Sequence, residues 1–284
     1  MRTRAWLGLS MLAACSDPLP SPSTVDVLRI LALTTETPEV RPGVAIAVRA
    51  VWADPVGGRS VRWRWRLCDP GVADDPRVCA RPGGATELAS GEVDRVEVLA
   101  AHLALRPTET ERTWVVYAIA CPGADAVIDP GEARLVCPRG DGSEAFRRVT
   151  VRATAPLNRP PGIAAWSIER AGSSTPLADG ASVSVGPLVA CDGDCPALTL
   201  TLTPSPDAAE AHDGGAESLL ASVYVGSGTV APPRVVTDPG VVAPMVARWT
   251  PGRVVLGGEV ARVWAVLRDQ RGGEAVRAVT ITAR

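Results

Sequence analysis

Val61-Arg62-Trp63-Arg64-Trp65-Arg66-Leu67-Cys68 is the stretch that decides the fold. Val61, Trp63, Trp65 and Leu67 fall on one side of an extended chain, and Arg62, Arg64 and Arg66 fall on the other. Alternation with period two describes a half-buried strand, because successive Cβ atoms point to opposite faces of a sheet. Trp63 and Trp65 are expected at the aromatic centre of a first core. The arginine side has two readings. One is an anion or glycan patch; the other, preferred, is a solvated face paired with Asp and Glu on neighbouring strands.

Working outward, residues 25–33 and 44–53 are rich in β-branched residues and flank the turn Thr37-Pro38-Glu39-Val40-Arg41-Pro42-Gly43. Residues 113–121 (Thr-Trp-Val-Val-Tyr-Ala-Ile-Ala-Cys) form a strong strand, and 145–153 close the unit. Residues 92–105 hold one or two less regular strands. Helical spacing is nowhere sustained. Thr154-Ala155-Pro156-Leu157-Asn158-Arg159-Pro160-Pro161-Gly162 reads as a linker stiffened by proline. Strand patterns resume at 163–169, 181–185, 198–203, 219–225, 241–249, 261–268 and 276–283, the last two joined as a hairpin through Gly272-Gly273. The halves end alike: Arg147-Arg148-Val149-Thr150-Val151-Arg152-Ala153 resembles Arg277-Ala278-Val279-Thr280-Ile281-Thr282-Ala283, and a Trp-bearing strand around Trp114 or Trp264 precedes each. This hints at a duplicated module. The expected class is all-β, with sandwiches over 25–155 and 163–284 and a linker over 156–162.

Composition sets limits. Hydrophobic residues make up 46% of the 284, enough for real cores, while aromatics are 4% and the eight Trp outnumber Tyr and Phe together. Net charge is −2, with no basic patch that would suit nucleic acid. No lysine occurs, so a P-loop lysine and a Schiff-base lysine are both excluded.

The N-terminus carries an export pattern. Arg2 and Arg4 precede a short apolar run, and Leu12-Ala13-Ala14-Cys15 ends it. About ten residues span only about 15 Å as a helix, against the roughly 30 Å of a bilayer core. The run is therefore read as a signal and not as a membrane span. Leu12-Ala13-Ala14-Cys15 resembles the lipobox of bacterial lipoproteins, which implies cleavage after residue 14 and acylation of Cys15. Ser16 in place of Asp then points to the outer membrane, and two or three acyl chains (palmitate or similar) imply permanent attachment to the membrane. Residues 15–24, with three prolines, read as a lipid-anchored tether. Loss of Arg2 and Arg4 with the signal takes the formal charge to −4.

Cys68, Cys79, Cys121, Cys137, Cys191 and Cys195 remain, an even number in an exported chain, and so read as disulfides. Six cysteines allow fifteen connectivities. Sequence neighbours suggest Cys68–Cys79, Cys121–Cys137 and Cys191–Cys195. A zinc site is disfavoured by the absence of any Cys-x-x-Cys spacing.

The layout resembles bacterial lipoproteins with tandem immunoglobulin-like (PKD-like) domains. Two signatures carry the likeness: Arg29-Ile30-Leu31-Ala32-Leu33 with Glu39-Val40-Arg41-Pro42-Gly43, leading to the Trp strand, and Val266-Leu267-Arg268-Asp269-Gln270-Arg271-Gly272-Gly273. The PKD signature itself and the acidic cadherin motifs are missing. The resemblance implies two immunoglobulin-like sandwiches with an adhesive, scaffolding or partner-binding role, and carries over no functional residue. It also implies that Cys68 and Cys121 end antiparallel strands at opposite ends of one sheet, which favours the two local clips.

Chemistry is sparse. His102 sits in an apolar context where partial burial is expected, and His212 sits in a glycine-rich loop. Neither has a nucleophile-elbow or zincin partner pattern. Asp192 and Asp194, between Cys191 and Cys195, are weak calcium candidates, and Asp125, Asp129 and Glu132 are weaker. No cofactor is expected. The reading is a non-enzymatic, lipid-anchored cell-envelope protein, with an envelope protein or glycan as its partner. The alternatives are a carbohydrate- or calcium-dependent binding module using exposed Trp, and, last, an enzyme of unknown class.

Overall fold

The computed structural model describes residues 22–68, 76–83, 85–154, 156–185, 197–212, 215–252 and 260–282. Cys15, Cys191, Asp192, Asp194 and Cys195 lie outside the described residues. The first half contains β1 (Arg29–Thr34), β2 (Glu39–Val40), β3 (Ile46–Ala53), β4 (Val61–Cys68), β5 (Ala85–Gly91), β6 (Arg95–Val98), β7 (Glu111–Pro122), β8 (Val127–Asp129), β9 (Arg134–Val136) and β10 (Ser143–Arg152). They form sheets of order β1-β3-β6 and β2-β10-β7-β4-β5, with β8–β9 a separate hairpin.

The second half contains β11 (Ile163–Arg170), β12 (Ser173–Pro176), β13 (Ser182–Ser184), β14 (Leu198–Pro204), β15 (Ala211–His212), β16 (Gly215–Ala216), β17 (Leu220–Val225), β18 (Thr229–Ala231), β19 (Arg234–Val236), β20 (Met245–Thr250), β21 (Val260–Arg268) and β22 (Glu274–Thr282). Its main sheets run β12-β11-β14-β20-β18 and β13-β22-β21-β17-β19. The two orders correspond: β2-β10-β7-β4-β5 matches β13-β22-β21-β17-β19, and β1-β3-β6 matches β11-β14-β20. In each half a short strand runs parallel to the last one, β2 beside β10 and β13 beside β22. The chain is all-β, an immunoglobulin-like sandwich built twice.

Each sandwich closes on its own core. Trp63, Trp65 and Leu67 meet Val48, Val98 and Val116 in the first, and Trp166, Leu200 and Trp249 meet Val225, Val263 and Ile281 in the second. Trp63 stacks on Trp65 at 5.7 Å, and Trp52 meets Trp63 edge-on at 5.9 Å, both favoured ring geometries. The indole N–H of Trp65 donates to Val93 O (2.8 Å) and that of Trp249 to Ser227 O (2.9 Å), so these buried donors are satisfied.

The repeat is real in the last strands. Arg147 on β10 donates to Leu33 O on β1, and Arg277 on β22 donates to Ile163 O on β11, the corresponding strand. The preceding tryptophans do not correspond. Arg147 pairs with Val116 and Arg277 with Ala265, which aligns Trp264 with Val115 and Trp114 with Val263. Trp114 therefore packs against the first core, while Trp264 faces away from the second.

Strands β7 and β21 are apolar over residues 115–121 and 263–267, where both of their faces are covered. On β7, Val116, Ala118 and Ala120 face the core, while Val115, Tyr117, Ile119 and Cys121 join a smaller cluster with Cys68, Cys79, Ala126, Leu135 and Cys137. Disulfides Cys68–Cys79 and Cys121–Cys137, with Cα atoms 5.6 and 5.3 Å apart, tie the turn carrying Cys79 and Ala80 and the segment carrying β8 and β9 to that face. A Cβ at Gly142 would collide with Cys137 Sγ, so glycine is needed beside the second clip. On β21, Trp264 meets Val25, Leu31 and Ala53 of the other half.

The structure adds detail to three expectations. The arginine face of β4 is only partly solvated: Arg62 binds Asp125 and Arg64 binds Glu87, but Arg66 is 7% exposed and donates to the Cys79 and Arg81 carbonyls of the clipped loop. Residues 156–162 are more than a spacer, since Asn158 is 2% exposed and hydrogen-bonded to both sandwiches. The end of the supposed tether is docked: Ser23 is 1% exposed, and Thr24 forms a parallel bridge with Val225.

Candidate functional site

Glu39 and Asp269 organise the seam where the sandwiches meet. Strand β2 places Glu39 at the edge of the first sandwich, 2% exposed. Its Oε2 accepts from Asn158 N (2.8 Å) and Arg271 Nη2 (2.7 Å), and its Oε1 accepts from Arg152 Nη2 (3.3 Å). Asp269 opens the β21–β22 turn. Its Oδ1 accepts from the Arg271 and Gly273 amides (2.8 and 2.6 Å), the local carboxylate-to-backbone pattern that fixes turns. Its Oδ2 accepts from Asn158 Nδ2 at 3.0 Å. A Cβ at Gly273 would collide with that carboxylate and come within 2.8 Å of Pro161 Cδ.

Two further arginines stitch carbonyls that no strand pairs. Arg147, 4% exposed, donates to Leu33 O and Gly272 O (both 2.5 Å) and to Glu274 Oε2 (3.1 Å). Arg268 donates to Leu31 O (2.7 Å) and Glu274 Oε1 (2.6 Å). Burial pulls the Arg147 pKa down, while Glu274 acts against it. Glu217 is fully buried nearby; its Oε2 accepts from Glu210 N (3.0 Å) and its Oε1 stands 3.6 Å from Arg271 Nη1. Burial pushes the Glu217 carboxyl above its ordinary value, with the bond from Glu210 N opposing. The seam is thus charged and largely cross-paired, although Arg147 Nε, Arg152 Nε, Asn158 Oδ1 and Glu217 Oε1 have no hydrogen-bond partner in it; in such an arrangement removing one partner is costly. Outside it, burial and Glu144 hold the Tyr117 hydroxyl far above its usual range under the clipped loops.

The apolar part of the seam sets Leu31, Val51 and Ala53, on the outer side of the three-stranded sheet, against Trp264, Tyr224 and Ala278. A bulge between Ile30 and Ala32 interrupts the β1–β3 register at Leu31. A cleft of about 500 Å³ opens beside the seam, walled by Phe146, Arg148, Thr150 and Arg152 on one side and Gln270 and Arg271 on the other. Phe146, the chain's only phenylalanine, is 51% exposed there.

The weaker candidates do not converge. Asp125 is bound to Arg62, Asp129 caps the Gly131 and Glu132 amides, and Glu132 pairs with Arg134. Among the described residues no group of three or more His, Cys, Asp or Glu stands where it could hold a metal ion. His102 lies half-buried in a short 3-10 turn of the first half, and His212 lies on the β15–β16 hairpin of the second. Of the described tryptophans, Trp63, Trp65, Trp166, Trp249 and Trp264 are buried and Trp52 and Trp114 half-buried, so none presents a fully exposed ring. The seam itself was not foreseen, although both stretches that carry the family likeness, around Glu39 and around Asp269, supply it.

No family model matches the chain, and no curated protein matches it. Among solved structures, the trypsin-activated α2-macroglobulin of Escherichia coli aligns over 89% of this chain and 18% of its own, at 14% identity and TM-score 0.27. The tandem Ig repeats of Dlar align over 91% and 98%, at 12% identity and TM-score 0.25. Drosophila N-cadherin EC1-4 aligns over 89% and 49%, at 13% identity and TM-score 0.24. The chain spans less than a fifth of the macroglobulin. Similarity at this level assigns no family, and the fold rests on the chain's own strand order.

Proposed function

We propose that the chain is a lipid-anchored, non-enzymatic component of a bacterial cell envelope, whose two fused sandwiches serve a structural, adhesive or partner-binding role. The observation that carries this is the seam. Glu39, Arg147, Asn158 and Asp269 are buried to tie one sandwich to the other, and Trp264 is given to the same contact. A charged network of this kind holds a relative orientation, which is what a spacer or display body needs. The anchor rests on Leu12-Ala13-Ala14-Cys15, and the oxidised pairs at Cys68–Cys79 and Cys121–Cys137 suit an exported chain. Mass spectrometry of protein extracted from native membranes tests it. The expected N-terminus is an acylated Cys15; an intact leader with an unmodified Cys15 overturns the reading.

A second reading, glycan binding, is favoured by the cleft at Phe146. Its volume of about 500 Å³ lies within the roughly 300–1,000 Å³ common for ligand sites, and it combines one exposed ring with fixed planar donors and acceptors. Calorimetry with a panel of neutral oligosaccharides, with and without calcium, decides it. Heat abolished by Phe146→Ala supports this reading, and no heat from any member removes it.

A further inference from the structure

The segment that leads from the anchor is pinned to the second sandwich before the first one begins. Val25 N donates to Val225 O and Val225 N donates to Ser23 O, both at 2.9 Å, so residues 23–25 add a short parallel strand beside the end of β17. Thr24 Oγ1 donates to Gly228 O (2.8 Å), and Arg29 Nη1 returns to Pro22 O (2.7 Å). Val25 is 2% exposed and packs with Leu31 and Ala53 of the first sandwich and Trp264 of the second. The strap therefore enters at the layer between the sandwiches.

Six residues lie between Cys15 and Pro22, a span of seven Cα–Cα steps. Even fully extended they reach at most about 25 Å. Sheets pack about 10 Å apart, so a two-sheet sandwich with its covering loops is comparable to that reach. The layer order leaves one outer side of each sandwich turned away from the strap layer. One is the clipped cap of the first sandwich, where Val127 is 46% exposed; the other is the outer side of β20, where Val246 is 45% exposed.

Resting on the lipid-anchor reading, we infer that the body is held to the bilayer by its waist, with both sandwiches side by side along the lipid surface, and not end-on as tandem beads above a tether. The lipid-facing side would be the one where Pro22 leaves the fold.

The test fixes the attachment chemically, so that it does not depend on native lipidation. Residues 15–284, with C191S and C195S, are coupled through Cys15 Sγ to a maleimide lipid in phosphatidylcholine vesicles. A donor dye is clicked to an azido side chain introduced at position 127 or at position 246, and energy transfer to an acceptor lipid is read. Matched transfer from the two positions is expected, with a fall at both in Val25→Pro, which removes the amide given to Val225. Strong transfer from one position and little from the other overturns the waist mounting, as does absence of transfer from both, or matched transfer that Val25→Pro leaves unchanged. An unmodified Cys15 in the native protein would overturn the anchor reading and leave this geometric result standing.

Discussion

Strands β7 and β21 occupy the same place in the two sandwiches and solve the same problem differently. Each is apolar on both faces, so each needs cover on the side away from its core. On β7 the cover is local: Cys79 and Ala80 on one side and Ala126, Leu135 and Cys137 on the other, each group tied by a disulfide to the strand system it leaves, pack with Val115, Tyr117 and Ile119. On β21 the cover is distant: Trp264 is closed over by Val25, Leu31 and Ala53, more than two hundred residues earlier in the chain. A covalent clip stabilises mainly by restricting the unfolded chain, whereas docking a second sandwich depends on packing and pairing in the folded state. The first cover should therefore survive separation of the halves, and the second should not.

The sharpest way to break the contrast is Trp264→Ala. Removing a buried indole costs roughly 3–5 kcal/mol. Urea unfolding of the full chain should lose that amount and split into two transitions as the halves uncouple. A single transition at the original midpoint would show that the seam does not join them. Next comes the pair Cys121→Ala with Cys137→Ala. A clip spanning 16 residues is worth roughly 3 kcal/mol. Hydrogen exchange should rise in residues 122–142 and leave the Glu39–Arg271 seam protected; a rise at the seam would mean the two covers are not independent.

Gly273→Ala is aimed at the seam alone. The added methyl meets Asp269 and Pro161, and overpacking of this kind costs about 1–3 kcal/mol. Limited proteolysis should then cut within 156–162 while both sandwiches persist. Tyr117→Phe removes the hydroxyl that donates to Glu144 under the cap, worth about 1 kcal/mol by urea titration, and should not alter coupling between the halves.

The smallest effect is a pH dependence. Burial raises the Glu217 carboxyl, so the fold favours its protonated form. That contribution is complete below the ordinary carboxylate range and is lost as pH rises through the raised value. Glu217→Gln should therefore lift the melting temperature near neutral pH and flatten its decline from mildly acidic to neutral conditions. An unchanged pH profile would show that the charge at this position carries no such penalty.

The strands were readable and their partners were not. The alternation in Val61–Cys68 and the continuous run in β7 announce strands because each face is written at a fixed period. The short strand β2 and the edge strand β5 were missed, since two residues at a turn and a mixed half-exposed run carry no period. Residues 156–162 look like a linker because proline and asparagine are turn formers wherever they occur; burial of Asn158 depends on Glu39 and Asp269, each more than a hundred residues away. Nor does a period of two say what lies over a strand's second face. Val115 and Trp264 stand at equivalent places, yet one meets a cystine-tied loop and the other a neighbouring sandwich.

The absence of lysine takes on a structural meaning at the seam. Where the sandwiches abut, guanidinium groups reach backbone oxygens, Arg147 to Leu33 and Gly272 and Arg268 to Leu31, and away from the seam Arg66 does the same for Cys79 and Arg81 of the clipped loop. A flat cation with several fixed donors can serve two oxygens and a carboxylate at once, which a compact ammonium on a flexible stem does less well. A chain without lysine has in this way made arginine part of its masonry, and exchanging these cations for lysine would preserve the charge of the molecule while loosening its mortar.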